Sequence, residues 1–62
     1  IFRRSLYFVA DLREGETITE RHVRRIRPGF GLEPRYYDTI IGKKVSKDIR
    51  RGQRVSWDSI GE

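Results

Sequence analysis

Apolar residues fall in short bursts along this chain, and most bursts have a strand-like spacing. Ser5-Leu6-Tyr7-Phe8-Val9-Ala10 joins aromatics to a β-branched residue and predicts a strand. Arg24-Arg25-Ile26-Arg27 predicts a second extended segment, with Val23 or Ile26 turned inward. Lys43-Lys44-Val45-Ser46-Lys47 alternates weakly and predicts a returning strand with one wet face. A single stretch has helical spacing, Leu32 to Gly42. There Pro34 suits the first helical position, Gly42 suits the stop, and Tyr36/Tyr37 and Ile40/Ile41 lie one turn apart on a shared face. No apolar run approaches the ~18 residues of a membrane span.

Two of the bursts are copies of each other. Asp11-Leu12-Arg13-Glu14-Gly15-Glu16-Thr17-Ile18-Thr19 returns as Asp48-Ile49-Arg50-Arg51-Gly52-Gln53-Arg54-Val55-Ser56, 37 positions later. Val23 and Ile60 keep the same offset. Gly15 and Gly52 allow a tight reversal, and Asp11 and Asp48 are expected to bond nearby backbone N–H groups and prepare it. Ile18 and Val55 are expected to point inward, and Thr19 and Ser56 to act as N-caps of one short helical turn. A stacked array needs about three units or more, so two copies imply one domain of two related halves. The expected core is Leu6, Phe8, Leu12, Ile18, Val23, Ile26, Ile40, Ile41, Val45, Ile49, Val55 and Ile60, with Trp57 in the core or at a domain interface. The fold class is mostly β, with short strands and one or two helical turns.

At 62 residues the chain is one domain at most, and a domain of this size buries only about 60% of its unfolded surface. It has no Cys, hence no disulfide framework and no thiolate metal site. No signal-peptide pattern is present, so a cytoplasmic protein is expected. The start Ile1-Phe2-Arg3-Arg4 and the lack of Met suggest a cut through a longer polypeptide, with residues 1–4 as linker from a parent domain and 5–62 as the domain itself.

Charge changes the picture only modestly. The formal net charge is +5, and the basic residues come in pairs: Arg3-Arg4, Arg24-Arg25, Lys43-Lys44, Arg50-Arg51. Acidic residues interrupt them, so the pattern fits solvated strands and loops better than a nucleic-acid surface. The single His22 sits beside arginines with no nucleophile or carboxylate at a triad spacing. No cluster has metal-ligand spacing. An autonomous enzyme is therefore not expected, and no cofactor is expected in this domain. The strongest loop signal is Pro28-Gly29-Phe30-Gly31, an aromatic set between glycines, directly after Arg27.

Taken in order, Arg4-Ser5-Leu6-Tyr7, Asp11-Leu12-Arg13-Glu14-Gly15-Glu16, Arg27-Pro28-Gly29-Phe30-Gly31-Leu32-Glu33-Pro34, Ile41-Gly42-Lys43-Lys44-Val45 and Ile49-Arg50-Arg51-Gly52-Gln53 resemble the C-terminal SAF domain of sialic acid synthases and related bacterial nonulosonic acid synthases. That domain is similar to type III antifreeze protein. The resemblance implies a β-clip fold with two pseudo-symmetric halves. It also implies a parent enzyme whose TIM barrel condenses phosphoenolpyruvate with an N-acylated amino sugar, using a divalent metal (manganese or magnesium) held by the barrel. In such homodimers the SAF domain of one chain covers the active-site mouth of the other. The expected partners are therefore the barrel of the same enzyme, the barrel of the other subunit, and the amino-sugar substrate, with no membrane and no nucleic acid.

One site residue carries over. The family's arginine directly before Pro-Gly reaches into the partner's sugar site, and here that is Arg27, with Pro28, Gly29, Phe30 and Gly31 shaping its loop. The antifreeze function is not expected to carry over. An ice-binding face needs small, weakly polar side chains, and Thr17 to His22 includes the strongly hydrated Glu20 and Arg21. Two other readings stay open on the sequence: the SAF domain of a different parent, such as a sugar acid dehydratase or a pilus or flagellar assembly protein, and a small basic nucleic-acid-binding module.

Overall fold

A computed structural model describes residues 4–27 and 29–61. Two strands are regular: β1, Ser5–Phe8, and β2, Val23–Ile26. They pair antiparallel, with Ser5 opposite Ile26 and Phe8 opposite Val23. The expected β1 thus ends two residues early, and the expected β2 forms. The Leu32–Gly42 segment is helical only in its centre, as a 3-10 turn at Pro34–Tyr36 followed by α1, Tyr37–Ile40. Pro34 stands at its start as expected. Lys43–Lys47 does not form a strand of its own; its pairing is confined to isolated bridges, Thr17 with Lys44 and Val45 with Ile60.

What replaces a large sheet is a pair of interlocked turns. Leu12 and Ile49, equivalent positions in the two copies, bond each other reciprocally at 3.0 and 2.7 Å. Two equivalent residues that exchange both bonds lie on the axis relating the halves. The rest of the backbone follows in matched pairs. Gly15 N–H donates to Val45 O at 2.9 Å and Gly52 N–H to Phe8 O at 2.8 Å. Ile18 N–H donates to Lys43 O at 2.8 Å and Val55 N–H to Leu6 O at 3.0 Å. Each of these donors and acceptors sits 37 positions from its counterpart. Gly15 and Gly52 have φ of 90° and 94°, the left-handed region in which a Cβ is strained, so the glycines at the turn tips are required by backbone geometry.

The aspartates do something the sequence did not suggest. Asp11 Oδ1 accepts from Arg51 N–H at 2.7 Å, and Asp48 Oδ1 accepts from Glu14 N–H at 2.9 Å. Each therefore caps the turn of the opposite half, not its own. The local bond inside each turn comes from the residue after the glycine: Glu16 accepts from Arg13 N–H and Gln53 from Arg50 N–H.

Leu6, Phe8, Leu12, Ile18, Val23, Ile40, Val45, Ile49 and Val55 form the buried core, with Ile41 and Ile60 half-buried against it. Ile26 was expected inside and is 37% exposed. Side chains alternate along a strand, so residues three apart face opposite ways, and Val23 takes the inward place. Trp57 is not in the core; it is 48% exposed. It opens the 3-10 turn Trp57–Ser59, where three residues make one revolution. That brings Ser59 and Ser56 to one side and leaves Trp57 outside. Ser59 is buried, with its Oγ 3.1 Å from Ser56 Oγ. Thr19 does cap as expected, accepting from Arg21 N–H at 3.3 Å, whereas Ser56 makes no side-chain cap and bonds Asp58 Oδ1 instead.

Candidate functional site

Strand β2 ends at Ile26, and the chain then leaves the sheet. It is fastened again within a few residues. Gly31 N–H donates to the buried hydroxyl of Ser5 at 2.8 Å, and Leu32 N–H donates to Val55 O at 2.9 Å. Leu32 O in turn accepts from Leu6 N–H at 2.9 Å. The approach at Gly31 is close enough to exclude any side chain. A Cβ there would overlap Leu6 O and lie 3.1 Å from Val55 O. Both ends of the loop are thus pinned to β1, since Ile26 itself pairs with Ser5.

Between the two pins stand the residues singled out from the sequence. Arg27 is exposed, and among the described residues it has no hydrogen-bond or ion-pair partner. Phe30 is 60% exposed, Gly29 and Gly31 are half-buried, and Pro28 lies outside the described residues. Arg27 lines an open depression of about 450 Å³ with Tyr7, Phe8, Val9, Ile26, Arg51 and Gly52. Its floor is apolar and its two charges are guanidiniums, so it suits a ligand or surface bearing hydrogen-bond acceptors. Sequence reasoning missed Ser5 and Arg51. Nothing local marks Ser5 as an anchor, but Arg51 could have been found, because the repeat places it beside a glycine turn.

The other candidates do not converge. His22 Nδ1 lies 2.9 Å from Thr19 N and 3.0 Å from Thr19 Oγ1, so the imidazole closes its own turn. Among the described residues no group of three or more His, Cys, Asp or Glu could hold a metal ion. No helix among the described residues is long and apolar enough to cross a membrane. One carboxyl titrates unusually: Asp58 is held below its ordinary value, first by the hydroxyl of Ser56 and then by Lys47 at 3.2 Å. It lies on the exterior of the second half.

The comparisons put this small, mostly-β domain in a known class. Residues 3–61 match the SAF domain, and the chain belongs to that family. Over 55 residues it is 48% identical to pseudaminic acid synthase of Campylobacter jejuni, covering 89% of this chain and 16% of that protein. Over 59 residues it is 39% identical to pseudaminic acid synthase of Helicobacter pylori, covering 95% of this chain and 17% of that protein. The solved structure of spore coat polysaccharide biosynthesis protein spsE from Bacillus subtilis matches with a TM-score of 0.85 and 29% identity, over 98% of this chain and 18% of that one. The chain therefore spans about a sixth of the proteins it is similar to, and the resemblance to the SAF domain of nonulosonic acid synthases holds.

Proposed function

We propose that this chain is the substrate-capping and dimer-forming domain of a nonulosonic acid synthase, and that Arg27 enters the amino-sugar pocket of a neighbouring subunit. On this reading the condensation of phosphoenolpyruvate with the N-acylated sugar, and the divalent metal, belong to the barrel of the parent. The observation that carries the reading is the loop itself. It is pinned at Ser5 and Val55, yet it leaves a guanidinium without a partner among the described residues and an aromatic ring more than half exposed. Arginine and aromatic side chains are enriched at interfaces. The names of the similar proteins support the same parent.

The role of Arg27 is binding and orientation. Its guanidinium offers five donors in a fixed plane and stays charged, so it can engage an acyl carbonyl and a hydroxyl together. Anchoring at both ends of the loop removes much of the ordering cost of that contact. In the full-length parent, Arg27→Ala is expected to lower kcat/KM for the amino sugar about 10- to 100-fold, the value of one charge-assisted bond. Arg27→Lys should recover only part of it. Steady-state kinetics unchanged in Arg27→Ala, with the dimer intact, would remove the assignment.

A further inference from the structure

Among the described residues the buried polar side chains are Ser5 and Ser59. A buried hydroxyl costs free energy unless it is bonded, so each should have a task. That of Ser59 is local, since it lies against Ser56, three residues away in the same turn. Ser5 reaches 26 positions along the chain. Its Oγ, on a residue only 2% exposed, accepts from Gly31 N–H at 2.8 Å. The same residue pairs with Ile26 in the ladder of β1 and β2. One residue thus fastens the chain on both sides of positions 27–30.

The two partners suit each other. Gly31 passes so close to β1 that a Cβ would overlap Leu6 O, so a residue without a side chain brings its amide there. A short hydroxyl meets it. Beyond Gly31 the chain is held by backbone alone, with Leu6 N–H bonded to Leu32 O and Leu32 N–H to Val55 O. Without the Ser5 hydroxyl those bonds would remain, and the free span would grow by one residue, from 27–30 to 27–31. Arg27 opens that span. No hydrogen bond or ion pair holds its guanidinium among the described residues, so the backbone of the loop decides where it stands. A short span fixed at both ends has few conformations, and releasing one end adds more.

We propose that Ser5 is a positioning residue: through Gly31 it fixes the backbone from which Arg27 projects, and so sets the orientation of the guanidinium toward the amino sugar. The inference rests on the capping reading above and deepens it. Ser5 is buried, so it acts through the loop. A contact made from a loop already ordered avoids the ordering cost at the moment of binding. Alanine has nearly the volume of serine but no acceptor. Ser5→Ala therefore removes the fastening and leaves the apolar core in place.

The test is a double-mutant cycle in the full-length parent, read as kcat/KM for the amino sugar. Ser5→Ala alone is expected to lower it about 5-fold, the value of one neutral hydrogen bond. In an Arg27→Ala background the same change should do nothing further, because the group it positions is gone. The KM for phosphoenolpyruvate should stay unchanged in Ser5→Ala. A serine needed only for folding would give an equal fall in both backgrounds, and that result would overturn the positioning role. Unchanged kcat/KM in Ser5→Ala, with Arg27→Ala impaired, would also overturn it and leave the sugar contact standing. Normal kinetics in Arg27→Ala would remove the sugar contact itself, and the positioning role with it.

Discussion

After its glycine turn the first half runs Thr19-Glu20-Arg21-His22, and the second runs Ser56-Trp57-Asp58-Ser59 at the equivalent places. Their backbones close alike: His22 N–H reaches Thr19 O at 2.9 Å and Ser59 N–H reaches Ser56 O at 3.0 Å. Their side chains close differently. In the first half a half-buried imidazole sits against the Thr19 amide and hydroxyl. In the second a buried serine fills that place, and Ser56 turns to Asp58. The shared frame depends on glycine, aspartate and a few apolar residues, so the remaining positions were free to diverge. That freedom put a tryptophan on the exterior of one half only. It also left the unrepeated stretch between the halves, residues 24–42, to carry Arg27, Phe30 and Tyr36.

The largest break in this correspondence should come from the core. Phe8 and Val45 are equivalent and both buried, but the first removes far more surface from water. Phe8→Ala is expected to cost about 4 kcal/mol and Val45→Ala about 2 kcal/mol, measured by urea unfolding. Against the small stability of a domain this size, Phe8→Ala should leave little folded protein. Equal costs would show that the Phe8 ring contributes no more to the shared core than the smaller Val45 side chain.

The crossed aspartates offer a finer measure. Asp11→Ala and Asp48→Ala each remove one side-chain acceptor from an exposed turn amide, and each should cost about 1 kcal/mol. The bonds differ by only 0.2 Å, at 2.7 and 2.9 Å, so the two costs should agree within a few tenths of a kcal/mol. A clear inequality in urea midpoint would mark one turn as the weaker.

The smallest effect is expected from pH. Asp58 has its folded pKa lowered, first by the Ser56 hydroxyl and then by Lys47. A depressed carboxyl stabilises the fold above its unfolded pKa of about 3.9, and that contribution disappears as pH falls through the lower folded value. Asp58→Asn should therefore flatten part of the acid limb of a stability profile below about pH 4 and leave neutral behaviour nearly unchanged. Arg21, the equivalent residue of the first half, has no carboxyl to titrate, and Arg21→Gln should not alter that limb.

Much of the frame was legible in the sequence because its demands are local. A turn that needs φ near 90° selects glycine, and a constant offset between two such glycines betrays the second half. Strand β1, strand β2 and the start at Pro34 followed from spacing. The crossed aspartates were not legible, since their partner amides lie 40 and 34 positions away and leave no mark on local spacing. Ile26 was misplaced because hydrophobicity was weighed without orientation: strand alternation puts it outside. For Trp57 a three-residue helical period removes the core alternative and leaves the domain interface. At the candidate site, Arg27 was marked by the loop that follows it. Ser5 was not, because its task is to receive the Gly31 amide from across the fold.

Because each turn takes its acceptor from across the axis, neither copy of the motif is a sufficient unit. Separated, Glu14 and Arg51 would lose the carboxylates that hold their amides, and Leu12 and Ile49 would lose the reciprocal bonds that pair them. The duplication has become mutual dependence: the chain should assemble in one all-or-none step, with no half-domain surviving as an intermediate.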